Sequence, residues 1–172
     1  MTIQTGLPGV VLRDAEPKDT ALVLGFIRAL AEYEKLAHEV VATEDSIEQA
    51  LFGAQPVIRV IIAECDTAPA GFALFFYNFS TFLGQRGIYL EDLFVKPDYR
   101  GRGVGRALLA YLAHLAQSEG CGRLEWSVLD WNMPAIGFYR SLGALAVDGW
   151  TVNRVTDGAL AELAESIAFR AE

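Results

Sequence analysis

Cysteine and histidine are scarce in this chain, with two of each in 172 residues. Cys65 and Cys121 lie far apart and form no C-x-x-C pair, so a disulfide framework or a zinc site is not expected, and a reducing cytoplasm is. His38 and His114 lack acid or cysteine partners at ligand spacing, so no metal is expected either. Basic residues are also short: 14 Lys and Arg against 22 Asp and Glu leave a net charge of −8. Phosphate-rich partners need clustered cations, so neither nucleic acid nor an anionic membrane is an expected partner. The longest apolar run, Ala70 to Tyr77, is less than half of the about 20 residues that span a bilayer. MTIQTGLPGVVLRD has no basic n-region followed by an apolar h-region, so no secretory signal is expected. There is no G-x-S-x-G, and neither cysteine has a neighbouring base, which removes the usual covalent nucleophiles. The ATP-binding pattern G-x-x-x-x-G-K-[ST] is absent. The dinucleotide pattern G-x-G-x-x-G fails, because counting from Gly101 its last glycine falls on Arg106.

What remains is an apolar, soluble globule: 52% hydrophobic and 21% charged, of a length that suits one domain over residues 1–172. Val10 to Arg13 reads as a strand. Leu22, Phe26, Leu30 and Tyr33 form a helical stripe between Asp19 and Lys35, and Thr43 caps a shorter helix running to Leu51. Val57–Glu64 and Ala70–Asn78 read as an antiparallel hairpin about the turn CDTAP, followed by a strand from Ile88 to Val95. A helix is expected from Gly103 to Glu119, a strand from Arg123 to Asp130 and a short helix capped by Asn132. A strand over Gly149–Thr156 and a helix over Ala159–Ala168 follow. The order predicts an α/β (α+β) fold, a mixed sheet covered by helices.

Two features ask for chemistry. RGRGVG (Arg100 to Gly105) lies between a strand and a helix, where glycines let main-chain N–H groups face a ligand and the helix dipole adds positive potential. A phosphate or pyrophosphate seat is predicted there, reinforced by Arg100, Arg102 and Arg106. The competing reading is a plain glycine-rich turn with solvated arginines. Just upstream, Glu91 and Asp92 sit inside an apolar strand. Alternation would put Tyr89, Glu91, Leu93 and Val95 on one face and Ile88, Leu90, Asp92 and Phe94 on the other.

LEDLFVKPDYRGRGVGRALL (Leu90 to Leu109) resembles the acetyl-CoA-binding core of the GCN5-related N-acetyltransferases, whose pyrophosphate loop reads [QR]-x-x-G-x-[GA]. LDWNMPAIGFYRSLGA (Leu129 to Ala144) is similar to the family's Asn-x-x-Ala-x-x-Phe-Tyr helix. More narrowly, LAEYEKL, YLEDLFV, WNMPAIGFY and Gly149–Trp150 resemble the diamine (spermidine/spermine) acetyltransferases. The resemblance implies acetyl-CoA as cofactor, held by Phe94, Val95, Arg100, Gly101, Arg102, Gly103, Val104, Gly105, Asn132, Ala135 and Tyr139. It implies a splay of the sheet beside Phe94 and Val95, and a homodimer.

Acetyl transfer to an amine requires a base, because an ammonium of pKa near 10.4 is not nucleophilic, together with donors for the carbonyl oxygen and a proton for the departing thiolate. The resemblance assigns Glu91 as base and Tyr139 as acid. It places Tyr33, Glu34, Glu91, Asp92, Glu125, Trp126 and Ser127 near a small primary amine, either a diamine or polyamine or a lysine-like amine. The blander alternatives are core ion pairs for the two acids, an aromatic core position for Tyr139, a bare N-cap for Asn132 and a solvated helix end for Glu34. Other acceptors (a thialysine-like amino acid, a protein N-terminus, an aminoglycoside) or a non-catalytic acyl-CoA-binding module are the rival functions.

Overall fold

The computed structural model describes residues 1–168. One sheet holds six strands in chain order: β1 (Thr2–Gln4), β2 (Val10–Asp14), β3 (Arg59–Cys65), β4 (Ala68–Ser80), β5 (Gln85–Val95) and β6 (Leu124–Trp126). The helices are α1 (Thr20–Tyr33), α2 (Glu44–Phe52), α3 (Val104–Ser118), α4 (Met133–Ser141) and α5 (Asp157–Glu165). Neighbouring strands are antiparallel except β5 and β6, which run parallel because α3 carries the chain back between them. The chain divides into two compact units: Met1–Leu129, with the whole sheet and α1 to α3, and the part from Asp130 onward, with α4 and α5. Among the described residues no helix is long and apolar enough to cross a membrane.

In the first unit, the predicted hairpin forms through Asp66 and Thr67. Both are left-handed (φ 51° and 69°), as a two-residue hairpin turn demands. Val23, Leu24 and Phe26 of α1 and Ile47 and Leu51 of α2 bury one sheet face against Val60, Ile62, Phe72, Leu74 and Phe94. Phe26 stacks on Phe72 with centroids 5.2 Å apart. α3 covers the other face with Val104, Leu108 and Leu112. Each such side chain contributes about 2 kcal/mol by leaving water. Asp19, 5% exposed, is clasped by two guanidinium nitrogens of Arg13 at 2.6 and 2.9 Å. That contact holds its carboxyl below the ordinary Asp range.

Helix ends follow their residues. Thr43 and Ser46 form a reciprocal capping box for α2. α1 closes with Leu36 N–H on the Ala31 carbonyl (2.8 Å) and Lys35 N–H on that of Glu32 (3.1 Å), a Schellman turn. Lys35 stands at φ 63° where glycine is usual.

The expected face assignment along β5 does not hold. Leu74 pairs with Asp92 but Phe75 pairs with Leu90, so Glu91 is an extra residue with no partner on β4. From Gly71 to Ser80, beyond a bulge of its own at Ala70, β4 has no extra residue, and its faces there define those of β5. Tyr89, Asp92 and Phe94 lie on the α1 face with Phe76, Leu74 and Phe72, whereas Ile88, Leu90 and Leu93 lie on the α3 face. A bulge shifts the phase of alternation, so Leu90 and Asp92 part company.

Two strand expectations shrink. Arg123–Asp130 pairs only over Leu124–Trp126. Gly149–Thr156 forms no strand, because among the described residues no ladder partner meets its backbone. In this second unit α4 starts on Asn132, whose side-chain oxygen accepts from Ala135 N–H at 3.3 Å, and stops at Gly143 (φ 87°).

Candidate active site

β6 pairs with Ile88, Tyr89 and Leu90 and then ends, so from Glu91 to Val95 that edge of β5 has no strand beside it among the described residues. Lys96 N–H donates to Ala70 O on β4 at 2.9 Å. Alternation therefore turns the main-chain groups of Val95 and Leu93 away from β4, toward the open edge. Phe94 faces inward instead: its ring lies 6.2 Å from that of Phe26, and its carbonyl sits against Gly71. Leu93, which the sequence reading did not single out, accompanies Val95 on the edge. Only the strand register reveals it.

After a 3₁₀ turn at Pro97–Tyr99, the glycine-rich loop enters α3. Gly101 (φ 76°) and Gly103 (φ 82°) are left-handed, a conformation that costs other residues about 1–2 kcal/mol. Gly103 caps α3 with no side chain covering the helix end, so the first N–H groups of the helix, around Val104 and Gly105, retain their donors. Leu7 closes the rear: a Cβ on Gly103 would stand 2.9 Å from its Cδ1. This bare, glycine-lined N-terminus fits a diphosphate, and the open β5 edge fits an amide-bearing chain. Two of the three expected arginines are engaged within the chain. Arg102 pairs with Asp66 at 3.1 Å, and Arg100 Nε donates to Val95 O at 3.0 Å.

The acids gather where the bulge turns Asp92 toward α1. Burial, then the neighbouring charges of Glu91 and Glu34, push the Asp92 carboxyl up to about 6. Burial also raises Glu34, the C-cap of α1. Tyr33, beside it, has its ring 5.1 Å from the Arg100 guanidinium carbon. On the same sheet face, the Tyr89 hydroxyl and Ser127 Oγ are 2.7 Å apart. Register places Glu125 beside Tyr89, where it pairs with Arg123 at 2.7 Å and accepts from Asn78 Nδ2 at 3.1 Å. Trp126 pairs with Leu90 and so belongs to the α3 face. Asp92, Glu91, Glu34, Tyr33, Glu125 and Ser127 thus share one region of the first unit, and Trp126 turns away. In the second unit, Asn132 and Ala135 make the N-cap of α4, and Tyr139 lies later in that helix with its ring 5.5 Å from that of Phe138.

Residues 27–144 match the acetyltransferase (GNAT) family. The chain belongs to that family. It is 39% identical over 166 residues to the thialysine N-epsilon-acetyltransferase of Bos taurus, covering 90% of this chain and 97% of that protein. It is 31% identical over 194 residues to the L-ornithine N5-acetyltransferase NATA1 of Arabidopsis thaliana, covering 87% and 85%. Among solved structures, an integron cassette protein from the mobile metagenome of V. cholerae superposes with a TM-score of 0.76 at 26% identity, covering 91% of this chain and 98% of that one.

As a GNAT acetyltransferase, the chain is an enzyme that takes its acetyl group from acetyl-CoA and passes it to an amine. This settles the choice between an enzyme and a binding module. The bulge decides which face the second acid takes, putting Asp92 on the α1 side with Tyr89 and Phe94.

Proposed function

We propose that this GNAT enzyme acetylates the terminal primary amine of a small, lysine-like molecule carrying a second cationic group. The observation that carries this reading is the half-buried carboxylate of Asp92 flanked by the charges of Glu91 and Glu34. Three acids of one sign at a partly buried site repel one another, and a cationic ligand relieves that repulsion. The names of the two relatives, which specify thialysine Nε and ornithine N5, agree with a side-chain amine as acceptor. A diamine has the same two charges and stands as the second candidate.

In this reading Glu91, on the bulge, takes the proton from the incoming ammonium, through a water, and frees the nitrogen lone pair. The nitrogen attacks the thioester carbonyl, whose oxygen is polarised by a main-chain N–H of Val95 or Leu93. The C–S bond breaks, and Tyr139 gives its proton to the departing sulfur, a slightly uphill transfer between a phenol of pKa about 10 and a thiol of about 8.5, after which the phenolate takes back the second proton that the acylated nitrogen sheds. Asp92 and Glu34 hold the distal cation, with Tyr33, Glu125 and Ser127 around it. Main-chain amides from Gly101 to Gly105 hold the diphosphate of the donor. Transfer is direct, without an acyl-enzyme.

The whole chain acts as one acetyltransferase domain, since the family match runs across the boundary between its compact units. It works as a homodimer in the cytoplasm. Supporting this are the unpaired stretch around Gly149–Thr156, with Trp150 79% and Val152 84% exposed, and cysteines that are both free thiols.

The test is thiol release from acetyl-CoA with a panel of ornithine, lysine, thialysine, short diamines, spermidine and an aminoglycoside. Highest kcat/KM on an amino acid with a terminal side-chain amine is expected. Preference for an aminoglycoside or for a mono-cationic amine would sink the reading. Light scattering of the purified protein checks the dimer.

A further inference from the structure

Arg100 opens the glycine-rich loop, where a phosphate contact is the obvious use for a guanidinium. Its side chain turns back instead. Nε donates to the Val95 carbonyl at 3.0 Å, on the open edge of β5. The guanidinium carbon lies 5.1 Å from the ring centroid of Tyr33 and 5.9 Å from that of Phe94, both within cation–π range. Among the described residues no carboxylate pairs with it. One planar cation therefore touches two elements: the last residue of α1 and the splayed end of β5.

Both contacts fall where the site needs rigidity. Tyr33 immediately precedes Glu34, whose charge reaches Asp92. The helix end that carries them closes through Lys35 in a left-handed conformation, which strains a residue with a Cβ. An end of this kind needs outside support to hold one geometry. On the other side, among the described residues the Val95 carbonyl has no strand to accept from, and Arg100 satisfies it.

We propose that Arg100 is a positioning residue that ties the amine-facing end of α1 to the open edge of β5, keeping amine and thioester in register. The kinetic part of this proposal rests on the acetyltransferase reading of the site, and the structural part does not. Lysine keeps the charge but cannot reproduce the fork, the plane or the Nε donor. A residue acting by charge on a diphosphate would be largely rescued by Arg100→Lys, and a tie of this geometry would not.

Three measurements on the full-length protein decide it. For Arg100→Lys at saturating acetyl-CoA, the amine KM should rise about fivefold or more, and by a larger factor than the Kd for coenzyme A. Tyr33→Leu should show the same split, and combining the two changes should add little beyond either one. In the free protein, hydrogen exchange of the amides in Ala31–Leu36 should quicken about fivefold in Arg100→Lys. The proposal is overturned if coenzyme A affinity falls by as large a factor as amine affinity, or if exchange in Ala31–Leu36 is unchanged. Should the wild-type protein bind no coenzyme A, the acetyltransferase reading fails on its own, and the exchange measurement still decides the tie.

Discussion

Asp92 of β5 faces Leu74 of β4, while Glu91, one residue before it, faces nothing on that strand. The pairing sends the Asp92 carboxyl to the α1 side, where burial and the charges of Glu91 and Glu34 resist its ionisation. The two acids therefore stand in different surroundings, and replacing them should have different effects.

Glu91→Gln removes the proposed base without changing shape. Turnover should fall about 10²–10³-fold at neutral pH, with coenzyme A affinity held, because only proton removal is lost. Steady-state kinetics paired with calorimetric titration of coenzyme A would show it. Unchanged turnover would take Glu91 out of the role.

Asp92→Asn should trade function for stability. The carboxyl titrates at 3.8 when unperturbed and at about 6 in the fold, so folding favours its neutral form. The group thus costs nothing below pH 4, becomes destabilising as pH rises from 4 to 6, and above that costs about 3 kcal/mol. Thermal melts should show Asp92→Asn gaining stability at pH 7 and losing that advantage as pH falls toward 4, while its amine KM rises. A variant no more stable than wild type at pH 7 would contradict the strained carboxylate.

Tyr139→Phe keeps the ring and loses the proton. Turnover should drop about tenfold or more, with little change in the Kd for coenzyme A. Equal turnover would leave Tyr139 as a packing residue of α4.

Gly103→Ala forces a side chain into φ 82° and toward Leu7, whereas Gly101→Ala meets no atom within 4 Å of its new Cβ. The conformational penalty, about 1–2 kcal/mol, applies to both, and Gly103 adds a steric one. Gly103→Ala should therefore be the less stable variant and the weaker binder of coenzyme A. Denaturant titration and calorimetry compare the two.

How much of this was legible beforehand depended on how local each cause is. Thr43, Asn132, Gly143 and the stripe Leu22–Phe26–Leu30 act through neighbours a turn away, and their helices stand where the residues indicate. The loop and helix motifs identified the family on the same footing. The faces of β5 were misread because the register with β4, and not the β5 sequence, sets the bulge at Glu91. The contacts of Arg100 and Arg102 within the chain were not legible, because Tyr33, Val95 and Asp66 are distant in sequence and near only in the fold. Gly149–Thr156 has strand-forming residues, yet a strand needs a partner that no single segment supplies.

Leu7 leans on the back of Gly103, although it belongs to the turn between β1 and β2. The loop proposed to seat the donor is thus backed by residues close to Met1. Trimming the first seven residues, or fusing a tag whose linker pulls on that turn, would remove or loosen the Leu7 support and so slacken that proposed seat from behind.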